Sequence, residues 1–185
     1  MNIVIISGSP RKKSITCRVA FHLRDLLRKQ HIVELVDLRE HSLPPIQTVF
    51  STEEKTPQQY LPLRKTMFAA DGFIFVSPEY NGGYSSIMKN LFDHFPKSAY
   101  ARKAVGIVTA SDGIQGGIRA AMQLQLLVCA LGALPSPRML ITPEVDKKFD
   151  EQGKLLDPEF NKNVESFLNE YVWIAEALYQ QKNKN

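Results

Sequence analysis

Short apolar runs alternate along the chain with longer stretches in which apolar residues recur at helical spacing. Ile3-Val4-Ile5-Ile6 reads as a buried strand, followed by a helical stripe at Ile15, Val19, Leu23, Leu26 and Leu27. Residues 32–38 read as a second strand. A polar connection containing Pro44-Pro45 follows without periodicity; it is expected to be a surface loop, and a tolerated insertion fits it better than a lid. A short helix is predicted from Pro62 to Ala69-Ala70, then a third strand over 72–76. The next helix has its apolar face at Ile87, Met88, Leu91, Phe92 and Phe95, with Pro96 beyond its end. Residues 104–110 form a fourth strand, and a long helix carrying Ala121, Leu124, Leu127, Val128 and Leu131 stops at Gly132. Residues 139–142 supply a short fifth strand. Asp157 caps and Pro158 starts a last helix, with Phe160, Val164, Phe167, Leu168, Tyr171, Ile174 and Leu178 on one stripe.

Strands alternating with helices imply right-handed crossovers and a parallel sheet covered on both faces. The expected fold is α/β: a three-layer α/β/α sandwich on a five-stranded parallel sheet of order 2-1-3-4-5, forming one domain over residues 1–185. The longest apolar run, residues 126–134, is far shorter than the roughly 20 residues of a membrane span, and the chain opens on a strand with no basic leader. A cytoplasmic protein without a membrane partner is expected. The net charge of +4 is spread over short clusters such as Lys12-Lys13 and Lys147-Lys148 with no interleaved aromatics, which argues against a nucleic-acid partner. Cys17 and Cys129 form no Cys-x-x-Cys pair and read as buried free thiols. His22, His31, His41 and His94 show no ligand spacing, so no metal is expected.

The most informative stretch is Gly8-Ser9-Pro10-Arg11-Lys12-Lys13-Ser14-Ile15-Thr16, between the first strand and the first helix. Such a turn gathers free N–H groups and the positive end of a helix dipole, which favours an anion. Nucleotide loops that need a second glycine before Lys-Ser/Thr, or three glycines at fixed spacing, do not fit a loop whose one glycine is Gly8. A loop richer in hydroxyls than in glycines suits the phosphate monoester of FMN. Taken alone it equally fits a serine-capped turn. In a 2-1-3-4-5 sheet, however, the first, third and fourth strands are neighbours. Their Gly/Ser/Asn-rich loops, at 8–16, 78–83 and 111–117, would meet on one rim, which favours a binding site.

These loops resemble those of the NADPH-dependent FMN reductase family, flavodoxin-like quinone, azo-dye and chromate reductases. The family's Gly-Ser-x-Arg-x-x-Ser is matched by Gly8, Ser9, Arg11 and Ser14, and its Pro-Glu-Tyr-Asn by Pro78, Glu79, Tyr80 and Asn81. Lys-Asn-x-x-Asp is matched by Lys89, Asn90 and Asp93, and Gly-Gly-x-Arg-Ala by Gly116, Gly117, Arg119 and Ala120, with Gln123, Leu124, Leu131 and Gly132 downstream. Departures are Gly83 where Ser is common, Ser85-Ser86 in place of a Pro-Gly pair, the segment Asp112-Gly113-Ile114-Gln115, and Gln125 where Arg is frequent. The changes at Gly83 to Ser86 predict a looser second loop.

The resemblance implies an enzyme that passes a hydride from NADPH (or NADH) through FMN to a quinone, azo compound, free flavin or similar small acceptor, with ping-pong kinetics. An FMN electron carrier that does not itself oxidise NAD(P)H is the alternative, and a domain that has lost its flavin a third reading. By resemblance, Ser9, Arg11, Ser14, Ile15 and Thr16 hold the phosphate, Ile15 through its N–H alone. Pro78, Glu79, Tyr80, Asn81 and Gly82 run along the isoalloxazine edge, and Ser111 and Gly113 close the other side. No acid–base catalytic residue is expected; Glu79 is assigned a structural role, and Tyr80 either stacks near the ring or packs at a subunit contact. The family's assembly implies a homodimer or homotetramer, for which the apolar helix from Ile87 to Phe95 is a candidate surface.

Overall fold

The computed structural model describes residues 1–41 and 43–184; Ser42, inside the connection after the second strand, and Asn185, at the end of the predicted domain, lie outside the described residues. Six strands form one sheet: β1 (Asn2–Ser7), β2 (Ile32–Asp37), β3 (Gly72–Pro78), β4 (Ala104–Ala110), β5 (Leu134–Pro135) and β6 (Leu140–Thr142). The order is β2-β1-β3-β4-β5, every pairing is parallel, and β6 also pairs with β4. The fifth position is therefore filled twice. β5 pairs with the start of β4 and β6 with its end, where the sequence predicts the later strand alone. Pro135 ends β5 and Pro137 lies within the break, and proline cannot donate to a ladder.

The helices are α1 (Thr16–Leu27), α2 (Leu61–Ala69), α3 (Ser86–Asp93), α4 (Ile118–Ala130), the single turn α5 (Val145–Lys148) and α6 (Asn161–Lys182). Side chains alternate across the pleat, so each strand feeds two cores. Val4, Ile6, Phe73 and Phe75 pack on Leu63, Met67, Met88, Leu91, Phe92, Leu124 and Val128 of α2, α3 and α4. Ile3, Ile5, Ile74 and Val76 pack on Val19, Leu23, Val164, Phe167 and Tyr171 of α1 and α6. Among the described residues no helix is long and apolar enough to cross a membrane.

Two expectations change here. Met88, Leu91 and Phe92 on α3 are at most 1% exposed, so the apolar face of that helix belongs to the core and is not available as a subunit surface. Cys129 is exposed whereas Cys17 is buried. The connection before α2 is anchored rather than loose. Phe50 is buried against Tyr60, His94 and Phe95, with ring centroids 5.5, 4.8 and 5.7 Å away. Asn90 adds to this by accepting from the Ile46 N–H (3.2 Å) and donating to the carbonyls of Leu43 (3.2 Å) and Pro44 (2.9 Å). The Lys-Asn-x-x-Asp match is thus a structural fitting: Lys89 pairs with Asp93 one turn along α3, and Asn90 holds the connection.

Candidate cofactor site

The aligned registers of Ser7 with Val76 and of Pro78 with Ala110 bring three strand ends to one edge. The first loop is pinned to the second at its root. The Gly8 N–H donates to the Val76 carbonyl (2.8 Å), and the Ser85 hydroxyl donates to the Gly8 carbonyl. A Cβ on Gly8 would stand 2.0 Å from Met88 Sδ and 3.1 Å from the Val76 oxygen, so only glycine lets the backbone pass α3 this closely. Ser85 also caps α3, accepting from the Met88 N–H at 3.4 Å, while Ser77 Oγ accepts from the Ser85 N–H at 3.3 Å. Ser85 therefore fixes the second loop, where the sequence predicts a looser one.

The tip of that loop is a tight turn. Tyr80 and Gly83 exchange backbone bonds of 2.8 and 3.0 Å, and Asn81 (φ 51°) with Gly82 (φ 80°) occupies the two left-handed positions. The Asn-Gly pair is required for its backbone. Tyr80 faces the first loop: its hydroxyl lies 3.4 Å from Ser9 Oγ, and the Arg11 guanidinium sits 4.8 Å from its ring centre.

The third loop is tied to the second by Glu79. The N-cap of α4 is Gly117, which has no side chain to cap the helix, and Glu79 Oε2 accepts from the N–H groups of Arg119 (3.0 Å) and Ala120 (3.2 Å). Arg119 adds its guanidinium at 3.2 Å to Oε1. The carboxylate is committed to a helix terminus, where negative charge is favoured. Ser111 Oγ accepts from the Gly113 N–H at 3.0 Å and closes the third loop on itself.

Between the loops lies a cleft of about 450 Å³. One wall is Ser9, Arg11, Ser14, Ile15 and Thr16; the other is Pro78, Glu79, Tyr80 and Ser111. Asn81, Gly82 and Gly113, also predicted for the site, stand outside this lining and shape the loops that bear it. Lys13, Ala110 and Asp112 also line the cleft, beyond the residues to which the sequence assigns a site role. The signal for Lys13 was there, a second base beside the loop hydroxyls. That for Ala110 and Asp112 was only their position flanking Ser111.

The chemistry of the cleft is that of an anion site. α1 has no side-chain N-cap and no acidic residue in its first turn. Among the described residues, the N–H groups of Ser14, Ile15 and Thr16 have no partner, whereas Ser14 Oγ takes the Cys17 N–H at 3.3 Å. Three open amides, the hydroxyls of Ser9 and Thr16, and the cations of Arg11 and Lys13 converge on a positive dipole end. Arg39 steadies this loop from the turn after β2, pairing with both oxygens of Asp37 and donating to the Lys12 carbonyl at 3.3 Å. Cys17 stays out of the chemistry: burial pushes its thiol pKa up, and Sγ donates to the Ser14 carbonyl at 2.9 Å. A phosphate monoester at the α1 end and a flat ring against the loops of β3 and β4 fit this cleft.

Comparison with known proteins agrees with that chemistry. The family model for NADPH-dependent FMN reductases matches residues 1–146. The chain is 29% identical over 180 residues to a probable NADPH:quinone oxidoreductase 2 from Oryza sativa subsp. japonica, covering 91% of this chain and 85% of that one. It is 27% identical to an NADPH azoreductase from Bacillus sp. (strain OY1-2), covering 96% and 98%. In structure it resembles FerB, a flavoenzyme NAD(P)H:(acceptor) oxidoreductase from Paracoccus denitrificans, with a TM-score of 0.79 at 21% identity over 95% of this chain and 97% of that one. The chain belongs to the NADPH-dependent FMN reductase family: a flavodoxin-like oxidoreductase whose cofactor is FMN and whose reductant is NADPH or NADH.

Proposed function

We propose that this protein takes a hydride from NADPH and delivers electrons to a small acceptor, a quinone, an azo compound or a free flavin, in two half-reactions at one cleft. FMN, when bound, supplies the redox chemistry; the chain binds it, orients it and shields it. The observation that carries this reading is the set of open amides at the start of α1, in the same cleft as Arg11 and Lys13. Ser9, Arg11, Ser14, Ile15 and Thr16, with Lys13, hold the phosphate. Pro78, Glu79, Tyr80, Asn81 and Gly82 form the ring-side loop through their backbone, and Ser111 with Gly113 closes the far side. Glu79 is engaged with α4 and moves no proton. Because nicotinamide and acceptor use the same open side of the cleft, the first product leaves before the acceptor enters, giving ping-pong kinetics.

The protein works in the cytoplasm as a homodimer. Its contact is the outer stripe of α4, where Ile118, Met122 and Leu126 are 39, 51 and 74% exposed at successive turns. That stripe adjoins the cleft: Arg119 and Gln123 of the same helix lie against Gly82 and Gly83. Purified protein that is yellow, releases FMN on denaturation and is bleached by NADPH without oxygen or a partner protein meets this reading. Protein that binds FMN yet is not bleached by NADPH fits the carrier instead, and protein that takes up no FMN overturns both.

A further inference from the structure

A cavity of about 660 Å³ lies at the opposite end of the sheet from the FMN cleft, and nothing in the flavin chemistry uses it. It opens where β3, β4 and β5 begin and α2 and α6 end. Its walls are apolar: Phe68, Ala101, Leu134, Leu178 and Tyr179. Leu134 and Tyr179 remain 38 and 36% exposed there.

Its polar side is cationic. Arg102, Lys103 and Lys182 face a single carboxylate, Asp71. Asp71 is already engaged, accepting from the Asn2 N–H at 2.9 Å and from Lys182 at 3.2 Å. Lys103 is held over the Phe73 ring at 5.3 Å and donates to the carbonyls of Met67 (3.4 Å) and Phe68 (3.3 Å), which occupies two of its three N–H groups. Burial, with Lys182 nearby, lowers the Lys103 pKa to about 8 even though Asp71 works in the other direction. Arg102 sits at φ 61°, a conformation that ordinarily selects glycine or asparagine, and among the described residues its guanidinium has no partner. This is a half-apolar chamber with more positive charge than its own carboxylate can neutralise.

We infer that this cavity is a second ligand site, for a planar aromatic molecule carrying one anionic group. The ring lies against Phe68, Leu134, Leu178 and Tyr179, and the carboxylate or sulfonate meets Arg102 and the free donor of Lys103. The inference is independent of the redox reading, since no residue is shared with the FMN cleft.

The test is isothermal calorimetry with 2-naphthoate on FMN-loaded protein, so that the flavin cleft is filled. Saturable binding at one site per chain is expected. The neutral analogue 2-naphthamide should bind at least about tenfold more weakly, as loss of a charged hydrogen bond implies. Arg102→Gly should weaken naphthoate by a similar factor without loss of fold, because glycine accepts the backbone angle at that position. Lys182→Ala serves as the second variant. Tyr80→Leu, in the flavin cleft, should leave naphthoate affinity unchanged. No saturable binding, equal affinity for acid and amide, binding indifferent to Arg102→Gly, or binding lost in Tyr80→Leu would each overturn the inference.

Discussion

Glu79 receives both the backbone N–H and the guanidinium of Arg119, at 3.0 and 3.2 Å, so one carboxylate joins the loop after β3 to the helix after β4. This pair gives physical form to the structural role that the sequence assigns to Glu79. A carboxylate beside a flavin invites assignment as an acid, but this one replaces the side-chain cap that Gly117 cannot provide. Glu79→Ala is expected to cost roughly 0.5–2 kcal/mol of stability, the range for a lost helix cap. Urea denaturation measures it. Glu79→Gln should keep most of its turnover, whereas a general acid would lose orders of magnitude.

Gly8→Ala attacks the root of the first loop. The new methyl meets Met88 Sδ at 2.0 Å and Cγ at 2.3 Å, and Met88 is fully buried, so the core beneath α3 must shift. A loss of about 1–3 kcal/mol is expected from overpacking. Thermal melts and FMN titration should fall together, because the same backbone carries both packing and donors.

Arg11→Ala should uncouple those two readouts. Arg11 is exposed and, among the described residues, its guanidinium meets only the Tyr80 ring, at 4.8 Å, so stability should change by less than about 1 kcal/mol. Loss of a charged hydrogen bond to the phosphate costs roughly 1.5–3 kcal/mol, or about ten- to a hundredfold in FMN affinity. Fluorescence titration of FMN decides it, and unchanged affinity would remove Arg11 from the phosphate site.

His22 should set an acid limb to stability. Its Nδ1 meets the Gly153 carbonyl at 3.0 Å, its ring packs on Phe149 at 5.1 Å, and its Nε2 is buried without a partner among the described residues. Burial lowers its pKa below the usual 6.5, outweighing the Gly153 bond and Asp25. The unfolded chain therefore takes up the proton first as pH falls through 6.5, and stability drops through that window and is restored above it. Urea midpoints between pH 7.5 and 5 should show this slope, and His22→Gln should flatten most of it. His31, whose pKa burial also lowers, leaves the remainder.

Leu126→Glu places a charge at the most exposed position of the α4 stripe. The side chain is 74% exposed in the single chain, so the fold should be retained while self-association is lost. Sedimentation velocity of wild type and variant measures this; a monomeric wild type would dismiss the interface.

Much of this molecule is legible locally. Ile3 to Ile6 show a buried strand because apolar residues without interruption can be covered on both faces only inside a parallel sheet. The stripes of α1 and α6 follow from helical period in the same way. Where local pattern competes with topology, the reading slips. Residues 134–135 are too short to register as a strand, yet β4 pairs them. The apolar face of α3 looks like spare surface until the sheet closes over it. Cys129 lies one helical step from buried Val128 and so faces solvent, a consequence of phase that the stripe through Leu124 and Val128 already contained.

The order of residues fixed the hydroxyl-rich turn after β1, the Asn-Gly turn at 81–82 and the bare start of α4, since each depends on backbone geometry within a few neighbours. Tertiary structure alone decided that Glu79 would cap a helix some forty residues away, that Ser85 would hold Gly8, and that Lys13 and Asp112 would enter the same cleft. The physical reason is the sheet. Parallel pairing of β1, β3 and β4 sets which loop ends are neighbours, and spacing along the chain carries no record of distance across strands.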